Sequence, residues 1–121
     1  MAEIVHLGNT RIYDGVRMDH LGKLILGPNS VIGYEAWIEL HTHDFDTNDW
    51  PDVEFPHTLT IGAQVYIGAR AMILGGCQLI ADGVLIGAGS VVTKNISIPW
   101  TKWAGNPARY IGDRKRVNTR L

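Results

Sequence analysis

Aliphatic residues recur at every sixth position through most of this chain. They stand at Leu26, Ile32 and Ile38, then at Ile61, Ile67, Ile73 and Leu79, and after a slip of one residue at Ile86, Val92 and Ile98. Glycine follows the aliphatic at Gly27, Gly33, Gly62, Gly68 and Gly87. A compact residue often sits four places on, at Ser30, Ala36, Val65, Ala71, Cys77 and Ser90. Six is a multiple of two, so an extended strand with alternating sides repeats this pattern indefinitely. A helix would place apolar residues at three- and four-residue steps. The beat predicts a stacked β-solenoid of short parallel strands, with the aliphatics pointing inward and the glycines at corners that would strain other residues.

Three stretches depart from the beat. In residues 1–25 the spacing persists at Ile12, Met18 and Leu24, two places out of phase with the series from Leu26. We read it as an imperfect first coil rather than a cap, since terminal repeats shield an open end. From His43 to Thr60 the beat stops. This segment opens with Asp44-Phe45-Asp46-Thr47-Asn48-Asp49-Trp50-Pro51-Asp52, acidic and turn-rich, directly after His41-Thr42-His43. A long loop inside a compact repeat usually carries function; the bland alternative is a tolerated surface insertion. Beyond Pro99 come Trp100, Trp103 and Gly105-Asn106-Pro107-Ala108-Arg109, then a basic tail at about 113–121.

The 121 residues are read as one domain, 45% hydrophobic and 19% charged, with a net charge of −1. Nothing resembles a nucleic-acid-binding charge excess. The single Cys77 falls inside the repeat and reads as a small buried apolar residue rather than a catalytic thiol. One cysteine forms no intrachain disulfide and fits a reducing compartment. No secretion signal and no window approaching a membrane span is visible, so the expected location is the cytoplasm.

Together the hexapeptide series, the run Ile86-Gly87-Ala88-Gly89-Ser90-Val91-Val92-Thr93-Lys94 and the segment Gly105-Asn106-Pro107-Ala108-Arg109 resemble the hexapeptide-repeat O-acetyltransferases, which include maltose, galactoside and polysaccharide-modifying enzymes. The resemblance covers about residues 26–112. It implies a left-handed parallel β-helix of triangular section, with three hexapeptides per coil and an inserted active-site loop. It also implies a homotrimer with acetyl-CoA, the acyl donor, in a groove between subunits. The hand comes from the family alone; ordinary crossover chirality argues for the opposite one.

Within that frame His43 is the candidate catalytic base. Acyl transfer from a thioester to a hydroxyl needs a group that takes the hydroxyl proton, and neutral imidazole suits it. His43 lies eleven residues after Ile32 and opens the loop, which matches the family's histidine. His41, two residues away on an extended chain, faces the same side and is assigned to the acceptor pocket, with a role as the base left open. Asp44 is a second acceptor-side candidate able to orient an imidazole; a backbone carbonyl would serve equally. Tyr66 stands where relatives carry an aromatic wall. On the donor side the resemblance assigns Ala69 and Ala88 as corner amides toward the thioester oxygen, and Thr93, Lys94 and Arg109 to the CoA phosphates and pantetheine arm. Trp100 and Trp103 either stack on CoA or pack at the coil end.

The expected function is acetyl transfer to a sugar hydroxyl by direct attack, with no resident metal. N-acetylation of an amino or nucleotide-linked sugar is the nearest alternative. Remoter ones are a γ-type carbonic anhydrase binding Zn²⁺ through His41, His43 and His57, and a non-catalytic trimeric scaffold.

Overall fold

In the computed structural model, which describes residues 2–47 and 53–116, the chain winds into a three-sided parallel β-helix. The first face stacks β1 (Glu3–His6), β4 (Lys23–Leu26), β9 (Thr58–Ile61) and β12 (Leu79–Ile80). The second stacks β2 (Arg11–Ile12), β5 (Val31–Ile32), β10 (Tyr66–Ile67) and β13 (Leu85–Ile86). The third stacks β3 (Arg17–Met18), β6 (Trp37–Ile38), β11 (Met72–Ile73) and β14 (Val91–Val92). A two-stranded antiparallel hairpin, β7 (His41–Thr42) with β8 (Phe55–Pro56), projects between the first and third faces. At the C-terminal end β15 (Thr101–Gly105) adds to the second face and β16 (Ala108–Asp113) folds back antiparallel on it. No helix occurs among the described residues, so none is long and apolar enough to cross a membrane.

The register explains the beat. Ile32, Ile67 and Ile86 are partners across the second face, and Ile38, Ile73 and Val92 across the third. All six are buried, each stabilising by about 1.5–3 kcal/mol relative to exposure. The compact residues four places on are buried as well. Ser30 fills such a position by donating to the Gly62 carbonyl and accepting the Val65 N–H, so a hydroxyl is tolerated in the core because it is satisfied.

Residues 2–25 form a true coil. Ile12 pairs with Ile32 and Met18 with Ile38. The phase shift arises because β4 buries both Leu24 and Leu26.

Three expectations require correction. Leu79 is exposed, and Ile80 points inward and pairs with Ile61. The Cys77 N–H closes the Gly75-Gly76 corner on the Leu74 carbonyl at the usual spacing, so the extra residue lies between Cys77 and Ile80, and Ile86 stands nineteen positions after its partner Ile67. Ile98 is also exposed. Ile96 is buried instead and bridges to Ile80, after which the chain leaves the first face. Finally, the glycine after each inward aliphatic is not there for a strained φ. A Cβ on Gly27 would strike the Gly62 backbone in the next coil, so glycine permits close coil stacking. The left-handed residues lie two places later: Asn29, Glu35, Gln64 and Arg70, at φ between 57° and 61°.

Candidate active site

The edge between the third and first faces carries the candidate histidines. Asp19 follows Met18 in the first coil, and the Met18–Ile38 register sets it beneath Leu40 in the second. Its Oδ2 accepts the Leu40 N–H, which holds a nearly buried carboxylate at the base of the hairpin. The same oxygen accepts from His41 Nδ1 at 2.5 Å. His41 Nε2 lies 3.0 Å from His43 Nε2, the two rings meeting edge to face. His43 Nδ1 donates to the Val53 carbonyl at 3.0 Å. The hairpin thus brings the two histidines together on one side, as their spacing predicts. A backbone carbonyl, rather than Asp44, orients His43. Asp44 is exposed, and its Oδ1 accepts the Asp46 N–H inside the loop.

Burial and nearby carboxylates act in opposite directions on His41. Partial burial by itself disfavours the His41 cation. The Asp19 hydrogen bond and charge outweigh burial, Glu39 and Glu54 add to them, and the pKa is raised above the ordinary 6.5. Glu54 reaches the site from the far end of the loop, with Oε2 3.1 Å from His20 Nε2. Glu39 Oε1 accepts the Gly75 N–H at 2.8 Å. A Cβ on Gly75 would strike the His41 carbonyl, and one on Gly76 the Thr93 carbonyl. The Gly75-Gly76 corner therefore sits between the histidine coil and the Thr93-Lys94 coil.

Other candidates lie elsewhere. Ala69 and Ala88 stack in successive coils at the opposite edge of the third face, where Gly89 N–H donates to the Ala69 carbonyl at 2.9 Å. Neither alanine N–H has an acceptor among the described residues. Tyr66 points outward from the second face. It lines an open cavity of about 900 Å³ with Val31, Gln64, Trp100 and Arg114. The Arg114 and Arg116 guanidiniums lie 5.2 and 4.9 Å from the Trp100 ring. Trp103 donates from Nε1 to Thr101 Oγ1 at 2.8 Å and packs on the core, so it closes the coil end. Arg109 sits on β16 beside Ala104. Cys77 is buried, its pKa pushed up to about 11 by desolvation, which removes it as a nucleophile.

No family model matches the chain. Serine acetyltransferase 3, mitochondrial, of Arabidopsis thaliana is 35% identical over 109 residues, covering 90% of this chain and 27% of that protein. A chloramphenicol acetyltransferase of Morganella morganii is 31% identical over 116 residues, covering 79% of this chain and 54% of that protein. The structure of a maltose O-acetyltransferase from Clostridium difficile 630 superposes with a TM-score of 0.67 at 29% identity, over 96% of this chain and 70% of the other. The chain belongs to the hexapeptide-repeat acetyltransferases.

The fold of this family member is the left-handed parallel β-helix that the resemblance implies. The chain spans 27% to 54% of the length of four curated relatives that it matches. Asp19 and Glu54 are the neighbours of the candidate histidines that sequence reasoning missed. The zinc set considered from sequence also changes. His41, His43 and Glu54 bring their ligating atoms together, whereas both ring nitrogens of His57 are buried without a partner among the described residues.

Proposed function

We propose that this protein is an acetyl-CoA-dependent O-acetyltransferase that acylates a saccharide hydroxyl, with His43 as general base. The observation that carries this reading is the His43 Nδ1–H held on the Val53 carbonyl. That hydrogen bond fixes the tautomer and puts the lone pair on Nε2, which faces His41 Nε2 at 3.0 Å and would accept a hydroxyl proton once the acceptor enters between the rings. The acceptor hydroxyl gives its proton to Nε2 as its oxygen attacks the thioester carbon. The tetrahedral intermediate then expels the CoA thiolate, which takes the proton back from His43.

The donor subsite is assigned to Ala69 and Ala88, whose N–H groups suit a developing oxyanion. They lie across the third face from His43, so a homotrimer that sets one copy's histidine edge against the next copy's alanine edge would complete the site. Thr93 and Lys94, one coil beyond Gly76, extend the histidine edge toward the CoA phosphates, and Arg109 is assigned to the same ligand. His41, Asp44 and Tyr66 remain acceptor-side assignments. Support for acetyl as the acyl group comes from relatives named for serine, chloramphenicol and maltose acetylation, acceptors that all bear hydroxyls.

Acetyl-CoA-dependent thiol release, screened against hydroxyl and amino sugars, tests the reading. Release with a hydroxyl sugar supports it. Release with amino sugars alone would replace it with N-acetylation, and release with neither would overturn it.

A further inference from the structure

His41 and His43 share a geometry that a transferase base does not require. Each ring commits Nδ1 to an acceptor, Asp19 Oδ2 at 2.5 Å and the Val53 carbonyl at 3.0 Å. Each ring then turns Nε2 toward the other, 3.0 Å away. Two neutral imidazoles so held would aim lone pair at lone pair. Something positive belongs between them, either a proton or a cation able to take both lone pairs. The Glu54 carboxylate completes the set, since the ligating atoms of all three residues lie within 4.8 Å of one another.

We propose that His41 Nε2, His43 Nε2 and the Glu54 carboxylate form a binding site for a divalent transition-metal cation, Zn²⁺ above all. Two Zn–N bonds at the tetrahedral angle hold their nitrogens about 3.3 Å apart, a few tenths of an ångström from the separation here. A carboxylate on one Nδ1 and a backbone carbonyl on the other are the outer partners that fix metal-bound imidazoles. Two imidazoles and one carboxylate suit Zn²⁺, Co²⁺ or Ni²⁺, whereas Mg²⁺ and Ca²⁺ prefer oxygen throughout. His20 holds one Glu54 oxygen at 3.1 Å, and a carboxylate has a second to offer.

The cation is no participant in acetyl transfer. It takes the Nε2 lone pair that His43 needs as a base, so metal binding and proton acceptance exclude each other. That consequence rests on the His43 assignment; the binding itself does not.

Titration of the full chain with Co²⁺, followed by visible ligand-field absorption, tests the site. One Co²⁺ per chain, displaced by Zn²⁺ and lost in His41→Ala and in His43→Ala, is the expected result. Asp19→Asn keeps all three ligands but loosens His41, so it should weaken Co²⁺ binding by about 10–100-fold at unchanged stoichiometry. Absence of saturable Co²⁺ and Zn²⁺ binding by folded protein overturns the proposal. So does binding that both histidine variants leave intact. If Zn²⁺ binds through both histidines yet leaves acetyl transfer undiminished, the metal site stands and His43 is not the base.

Discussion

Asp19 and His41 are 22 residues apart in the chain and one coil apart in the structure, with Oδ2 2.5 Å from Nδ1. A raised folded-state pKa has a fixed consequence for stability. The pair's contribution is fully present below the unfolded value of about 6.5 and is lost as pH rises through the raised value. Asp19→Asn retains an oxygen for the Leu40 N–H and removes only the charge. The variant should therefore show a lower His41 pKa by NMR titration. It should also be destabilised more at about pH 6 than at about pH 9. Equal destabilisation at both, with an unchanged His41 titration, would show that the Asp19 charge does not hold the imidazolium.

His43→Ala should lower turnover by about 10²–10⁴-fold, the usual contribution of a positioned base. Acetyl-CoA affinity, measured by calorimetry, should be nearly unchanged, because the donor contacts are assigned to Ala69, Ala88, Thr93, Lys94 and Arg109 rather than to His43. Near-normal turnover would move the base to His41, whose Asp19 partner already gives it a carboxylate-backed Nδ1.

The one-residue slip has a measurable signature. Ile80→Ala removes a fully buried side chain and should cost about 2–5 kcal/mol in urea unfolding. Leu79→Ala, on the exposed side of the same strand, should cost much less. The reverse ranking would place the slip after Leu79.

These residues also show what the sequence made legible. The parallel β-helix followed from the six-residue beat because every coil buries the same positions, so Ile32, Ile67 and Ile86 restate one fact three times. The slip misled because Leu79 and Ile80 are both aliphatic, and hydrophobicity alone does not choose between adjacent candidates on a strand. His43 was visible because it interrupts the repeat. Asp19 was not, since its place beneath Leu40 depends on the register of the first coil, which the double burial of Leu24 and Leu26 disguises. Glu54 returns to the site across a loop with no periodic relation to the coils. The glycines were located correctly but explained wrongly, because close approach between coils leaves no mark within a single hexapeptide.

Cys77 sits where its thiol is hard to ionise. Burial pushes the pKa up to about 11, and Sγ lies 3.6 Å from the Leu79 carbonyl. Native protein should resist thiol-specific labelling near neutral pH and react on unfolding, as thiolate is the reactive form. Cys77→Ala should retain turnover, since the proposed mechanism has no covalent intermediate. A rapidly labelled native thiol coupled to loss of turnover would reopen a covalent route.

The proposed split of the site across the third face can be tested by mixing chains. His43→Ala removes the base from one edge. Ala88→Trp sets a large side chain at the exposed alanine corner of the other and should block acetyl-CoA. Each variant alone should be inactive whether the site lies within one copy or between two. Co-refolding the two at equal amounts separates the cases. If His43 of one copy works with Ala88 of the next, random assembly leaves about a quarter of the sites with both residues intact, and activity should recover to about that fraction. If both act within one chain, no mixture recovers activity, because every chain carries one lesion. Recovery to about a quarter, with calorimetric acetyl-CoA binding returning in only part of the sites, would establish that the catalytic unit is a pair of neighbouring copies. Failure to recover in well-folded mixed assemblies would require His43 and the donor amides to meet within a single copy, against their separation across the third face.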